Sequence, residues 1–148
     1  MAQGFRVGAF IFLALLVAGC GAEEKKARAS AVVEHYFQAV KTNDPDRAMT
    51  FFAKRFFETR SPAGWKADFR LITARLGPLQ SYSRRGWNWR TDFVPPASGT
   101  EVTLEYEVRY AKHPAIETFV VHKPFTRNEY QIVNHSIASE GLLTQPAR

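Results

Sequence analysis

The hydrophobic pattern of this chain changes period once, at Gly77-Pro78, and that change limits the fold more than any other feature. Before it, apolar residues recur three and four apart, as on one face of a helix. Ser30 is placed to cap a helix running to about Thr42. Val33, Phe37 and Val40 form its apolar stripe, widened by Val32, Tyr36 and Ala39, while Glu34, His35, Gln38 and Lys41 face the other way. Asn43-Asp44-Pro45 stops this helix and starts another, because proline costs nothing at a first helical position whose N–H has no partner. Met49, Phe52, Ala53 and Phe56 continue at helical spacing. Ser61-Pro62 repeats the start signal for a third helix with Trp65, Phe69, Ile72 and Leu76 on one stripe, closed by Gly77-Pro78.

After Gly77 the residues alternate. Trp87 and Trp89 point one way, Asn88 and Arg90 the other. Val102, Leu104, Tyr106, Val108 and Tyr110 alternate with Thr103, Glu105, Glu107 and Arg109. Ile116–Lys123 and Tyr130–Ile137 read as two further strands, with turn residues between them at Pro95–Gly99, His113-Pro114 and Pro124–Asn128. The expected fold is α+β, with about three N-terminal helices packed on one face of an antiparallel sheet of about four strands.

The N-terminus carries a different signal. Val7–Ala18 is apolar apart from Gly8 and follows Arg6. As a helix this run spans roughly 18 Å, too short for a ~30 Å hydrocarbon core. It reads as a signal peptide covering residues 1–19. The ending Val17-Ala18-Gly19-Cys20 resembles the bacterial lipobox, and Cys20 is the only cysteine in the 148 residues, so no internal disulfide exists. That resemblance implies a diacylglycerol on the Cys20 thiol, cleavage before it, and attachment to the cell envelope by the lipid. Gly21 follows instead of aspartate, which leans toward an outer membrane, facing the periplasm, in a Gram-negative cell. Residues 20–29 then form a tether or continue the first helix, with residues 30–140 the folded domain and residues 141–148 a C-terminal tail.

The mature chain resembles the nuclear transport factor 2-like superfamily, in which a curved sheet wraps helices into a cone. The matching features are Tyr36-Phe37, the Asn43–Asp46 turn, Phe51-Phe52 and Ser61-Pro62 leading to Trp65. Leu76-Gly77-Pro78-Leu79 with Ser81-Tyr82, Thr103–Tyr110, Glu117-Thr118-Phe119 and Tyr130–Val133 complete the likeness. It is nearest to the bacterial lipoprotein branch of that superfamily, whose function is unknown. Enzymes of the superfamily, ketosteroid isomerases and related dehydratases among them, place a carboxylate or histidine inside the cone. The resemblance therefore implies a fold and a pocket, and leaves the activity open.

An internal carboxylate should fall in phase with an apolar face. Glu101, Glu105 and Glu107 are out of phase, and Asp92 points away from the tryptophans. Glu117 alone shares a face with Phe119 and Val121. Its place at a strand start predicts exposure, since buried acids are rare without a partner. Tyr36, Trp87, Trp89 and Tyr106 join Glu117 as candidate ligand-binding residues, with Trp65 expected in the core. The four histidines show no HxH or HxxxH spacing, so no metal is expected, and no motif calls for a cofactor. No GxSxG elbow or glycine-rich phosphate loop occurs.

Charge is uneven. Lys54–Asp92 holds nine basic residues against three acids, whereas the remainder to Arg148 is nearly balanced. In an envelope protein such a face suits anionic lipid or an acidic envelope polymer. Nucleic acid is not expected, because export removes the chain from it. The expected role is a non-catalytic module that binds a ligand or partner. The alternatives are a cone-pocket enzyme of isomerase or hydratase type and a structural accessory lipoprotein.

Overall fold

Pro45 and Pro62 open helices for the same physical reason, and the residue before each supplies the cap. In a computed structural model, which describes the backbone of residues 9–143 and the side chains from Gly21 onward, Asp44 Oδ1 accepts from Arg47 N at 2.9 Å. Ser61 Oγ accepts from Gly64 N at 3.0 Å. These caps start α2 (Pro45–Met49) and α3 (Pro62–Leu76). Gly77 ends α3 at a positive φ of 82°, where its N–H returns to Thr73 O.

The first helix is longer than the cap at Ser30 implies. α1 runs Ala9–Lys41, so residues 21–29 are helix and not a loose tether. Ser30 is buried in mid-helix, and its Oγ accepts from the Arg84 guanidinium at 2.7 Å. Ala29 is buried as well. The expected signal peptide and lipid attachment at Cys20 fall outside the described side chains. Among the described residues no helix is long and apolar enough to cross a membrane.

The second expected helix also differs. α2 stops after five residues, and Phe52 pairs with Ile132 in an isolated parallel bridge. Ala53 N donates to Ile132 O at 2.8 Å and Ile132 N to Phe51 O at 2.9 Å. A short 3-10 turn follows at Lys54–Glu58. Phe51 O and Ala53 N are satisfied by Ile132 of the sheet, while Phe52 and Phe56 donate within local turns to Met49 O and Ala53 O.

The sheet has four antiparallel strands in sequence order: β1 (Leu79–Asp92), β2 (Gly99–Tyr110), β3 (Pro114–Pro124) and β4 (Gln131–Ala138). It is curled and open, with the N-terminal helices against one face, and α4 (Glu140–Leu143) follows. The α+β class read from the change of period is the observed one. Val102, Leu104, Tyr106 and Val108 of β2 face Phe119 and Val121 of β3, with Phe37 of α1 and Trp65 and Phe69 of α3 closing the core.

Bulges decide which side chains reach that core. One between Arg84 and Gly86 turns Trp87 and Trp89 to the face of Tyr82. Another lies opposite Val120 and Val121, where β4 carries Val133 as the extra residue. It flips the phase of β4: Ile132 is buried on one side of it, and His135 faces inward on the other.

Candidate functional site

Glu117 is fully buried, contrary to the exposed strand end expected of it. Its phase with Phe119 and Val121 is the inward one. A strand start is exposed only at a free sheet margin, and here Glu117 lies between Tyr106 of β2 and Ile137 of β4. Burial is compensated by two hydrogen bonds. The Tyr110 hydroxyl donates to Glu117 Oε1 at 2.5 Å, and His135 Nε2 lies 2.8 Å from Oε2. A carboxylate accepts at both oxygens, which assigns the bridging proton to Nε2.

The surroundings are aromatic. The His135 ring stacks on Phe119 with centroids 4.3 Å apart and planes 9° apart. The edge of Tyr36 meets it at 5.3 Å. Burial, and then the nearby Glu117 charge, hold the Tyr36 phenol well above its ordinary 10.0. The same two causes, in the same order, push Tyr110 up strongly. Both phenols therefore stay protonated as hydrogen-bond donors around the acid.

Above this group lies a pocket of about 390 Å³ between α3 and β4. Trp65, Phe69, Ile72, Ile137 and Leu142 contribute to its apolar wall, while Tyr36, Tyr110, His135, Thr73 and Ser136 add polar groups. Arg60 and Asp68 pair with each other at its rim, 3.3 Å apart, and Arg75 donates to Leu142 O. Glu117 sits behind His135 and Tyr110 and does not itself line the space. His135 Nδ1 and the Tyr36 hydroxyl have no hydrogen-bond partner among the described residues, and neither is sealed off.

The other candidates lie elsewhere. Tyr106 is in the core against Phe37, its buried hydroxyl unbonded beside the Ser30–Arg84 contact. Burial raises that phenol, and Ser30 and Arg84 temper the rise. Trp87 and Trp89 lie under Lys26 and Lys25 of α1, 4.9 and 3.8 Å from the ring centroids. Trp65 is 4% exposed and belongs to both core and pocket wall. Of the five candidate ligand residues, only Tyr36 lines the pocket, and Glu117 supports it from behind.

His135 is the candidate site residue that a reading of spacing hides. Its partner Glu117 is one strand away, and the bulge at Val133 sets its direction. His35 is exposed, and His122 is buried, its Nε2 3.2 Å from Ala97 O. The described residues contain no group of three or more His, Cys, Asp or Glu placed to hold a metal ion. The basic run from Lys54 to Asp92 is partly paired: Arg60 meets Asp68, Lys66 meets Asp46, Arg85 meets Glu105 and Arg90 meets Glu101, and the other five cations of the run have no ion pair among the described residues. No protein-family model matches the chain, and no curated protein matches it.

Proposed function

We propose that this chain is a lipid-anchored envelope protein whose domain binds a small, uncharged, mainly apolar molecule ending in a hydroxyl group. The anchor reading rests on the short apolar run ending at Cys20, and the likeness to nuclear transport factor 2-like proteins rests on the order of motifs given above. The observation that carries the ligand is the pair of unbonded polar atoms, Tyr36 Oη and His135 Nδ1, beside an apolar wall. A ligand hydroxyl accepts from the tyrosine. It donates to Nδ1 of neutral imidazole or accepts from Nδ1–H of imidazolium, so it suits either state. The pocket volume lies in the usual range for small-molecule sites.

The test compares 2-naphthol with naphthalene by ligand-observed NMR. The protein should prefer 2-naphthol by roughly 2- to 10-fold, the worth of one net hydrogen bond. His135→Phe should erase that preference while keeping affinity for the ring system. Equal binding of both probes to the unmodified protein contradicts the assignment.

One observation favours a second reading, proton transfer. A histidine held by a buried carboxylate, with its other nitrogen facing a pocket, has the arrangement of an oriented general base. In that reading His135 takes a proton from a bound carbon acid, and Glu117 positions the ring. Deuterium exchange at the α-carbon of 2-tetralone in heavy water checks it. Exchange above the buffer rate that disappears in His135→Phe establishes turnover, and exchange at the buffer rate leaves the pocket a binding site.

A further inference from the structure

Three of the six exposed large apolar residues of the described chain stand together. Phe93 is 78% exposed and Val94 75%, both in the β1–β2 connection, and Phe125, 52% exposed, begins the β3–β4 connection. The register sets these two connections side by side, since Gly99 pairs with both Asp92 and Pro124. The Phe93 and Phe125 rings are 5.6 Å apart. Trp89 of β1 is exposed near the same end, whereas Leu71 of α3 and Leu143 of α4, beyond the opposite end of β4, are exposed away from the tips.

α1 arrives at the same end of the sheet. Lys25 stacks on Trp89 and Arg28 bonds to Asn128 of the β3–β4 connection, so the N-terminal part of the described helix lies against these tips. Its C-terminal part lies near Tyr82 at the other end, through Lys41. Cys20, the residue before Gly21, therefore leaves the domain on the side of Phe93 and Phe125. Arg55, Lys123 and Arg127 lie about the tips with no acidic partner within ion-pair distance among the described residues, and a shallow hollow joins Arg55 and Arg127 to Pro96 and Pro124.

We infer that the β1–β2 and β3–β4 tips enter the bilayer beside the lipid anchor, with Phe93, Val94 and Phe125 in the acyl boundary and the free basic side chains on anionic headgroups. A lone anchor leaves a domain free to rotate; exposed apolar tips at the anchored end fix its orientation, with the β2–β3 turn pointing away from the membrane. Exposed aromatic and aliphatic side chains ringed by cations match an interfacial surface chemically. The inference rests on the lipoprotein reading for the position of the membrane, and not on any ligand in the pocket.

The test places a photoreactive benzoylphenylalanine at position 93, 125 or 111 of the full chain in living cells. Position 111 is the exposed Ala111 in the β2–β3 turn. Irradiation should give phospholipid adducts several-fold more often at 93 and 125 than at 111. Fatty-acid incorporation at Cys20 is measured in the same samples. Incorporation with equal adducts at all three positions overturns the inference and leaves the anchor reading standing. Adducts at 93 and 125 without incorporation overturn the anchor reading and leave the tips in the membrane. Cross-links from 93 to a second copy of the chain, or to another protein, in place of lipid overturn the inference in favour of a protein interface.

Discussion

The pocket floor and the hairpin tips invert the usual distribution of polarity. At the floor, a fully buried carboxylate stands among Tyr110, His135 and Tyr36, where an apolar side chain would pack more simply. At the tips, Phe93, Val94 and Phe125 face outward, where charged residues would be expected. The floor is retained at a cost in desolvation that its two hydrogen bonds offset. The tips bury little and contribute little to folding. The difference separates a polar group that the fold itself must satisfy from apolar groups that the fold leaves uncovered.

The largest effect is expected at Glu117. Glu117→Ala removes the partner of Tyr110 and His135 together, and should lower unfolding free energy by ~3–5 kcal/mol in a denaturant titration. Glu117→Gln keeps an acceptor for Tyr110 and should cost less, ~1–3 kcal/mol. Equal losses for the two would show that a retained volume and a single retained acceptor contribute nothing there, and that the carboxylate itself is what matters. Trp65→Ala should cost ~3–5 kcal/mol, the usual range for a buried aromatic. An unchanged midpoint and slope would remove Trp65 from the core.

An intermediate effect is expected with pH. Tyr36, Tyr106, Tyr110 and Tyr130 all hold their protons above the ordinary 10.0, with burial the first cause in each. Above pH 10 the unfolded chain releases these protons while the folded chain keeps them. Their stabilisation is thus whole below 10 and is lost as pH rises toward the folded values. Tyr110→Phe should flatten this alkaline loss measurably; a wild-type midpoint that holds steady from pH 9 to about 11 would contradict it. The smallest effect is expected at the tips. Phe93→Ser and Phe125→Ser should each leave stability within ~0.5 kcal/mol of wild type. A loss of several kcal/mol at either would mean that the tips are part of the fold and would erase the contrast.

The change of hydrophobic period, the proline-opened helices and the four strands were legible because each follows from local rules: spacing, caps and alternation. Trp65 and the inward phase of Glu117 were legible for the same reason. The depth of Glu117 was not, because it depends on β4 covering the margin of β3. His135 was hidden further, since one extra residue at Val133 reverses the alternation that a strand of this length would show. The short α2 is a tertiary override: Phe51 and Ala53 find backbone partners in Ile132 that a continued helix would forgo. The tips were unremarkable in sequence, because Phe93 and Phe125 become neighbours only through the register of β2 with β1 and β3.

In the proposed site Glu117 holds His135 through Nε2, which leaves Nδ1 for a ligand. Long-range proton–nitrogen NMR of the His135 ring tests it most directly. The account predicts a slowly exchanging proton on Nε2, shielded by Glu117, and an Nδ1 resonance that moves when 2-naphthol is added but stays in place with naphthalene. A proton found only on Nδ1, or a ring whose nitrogens ignore 2-naphthol while the probe binds, would contradict it.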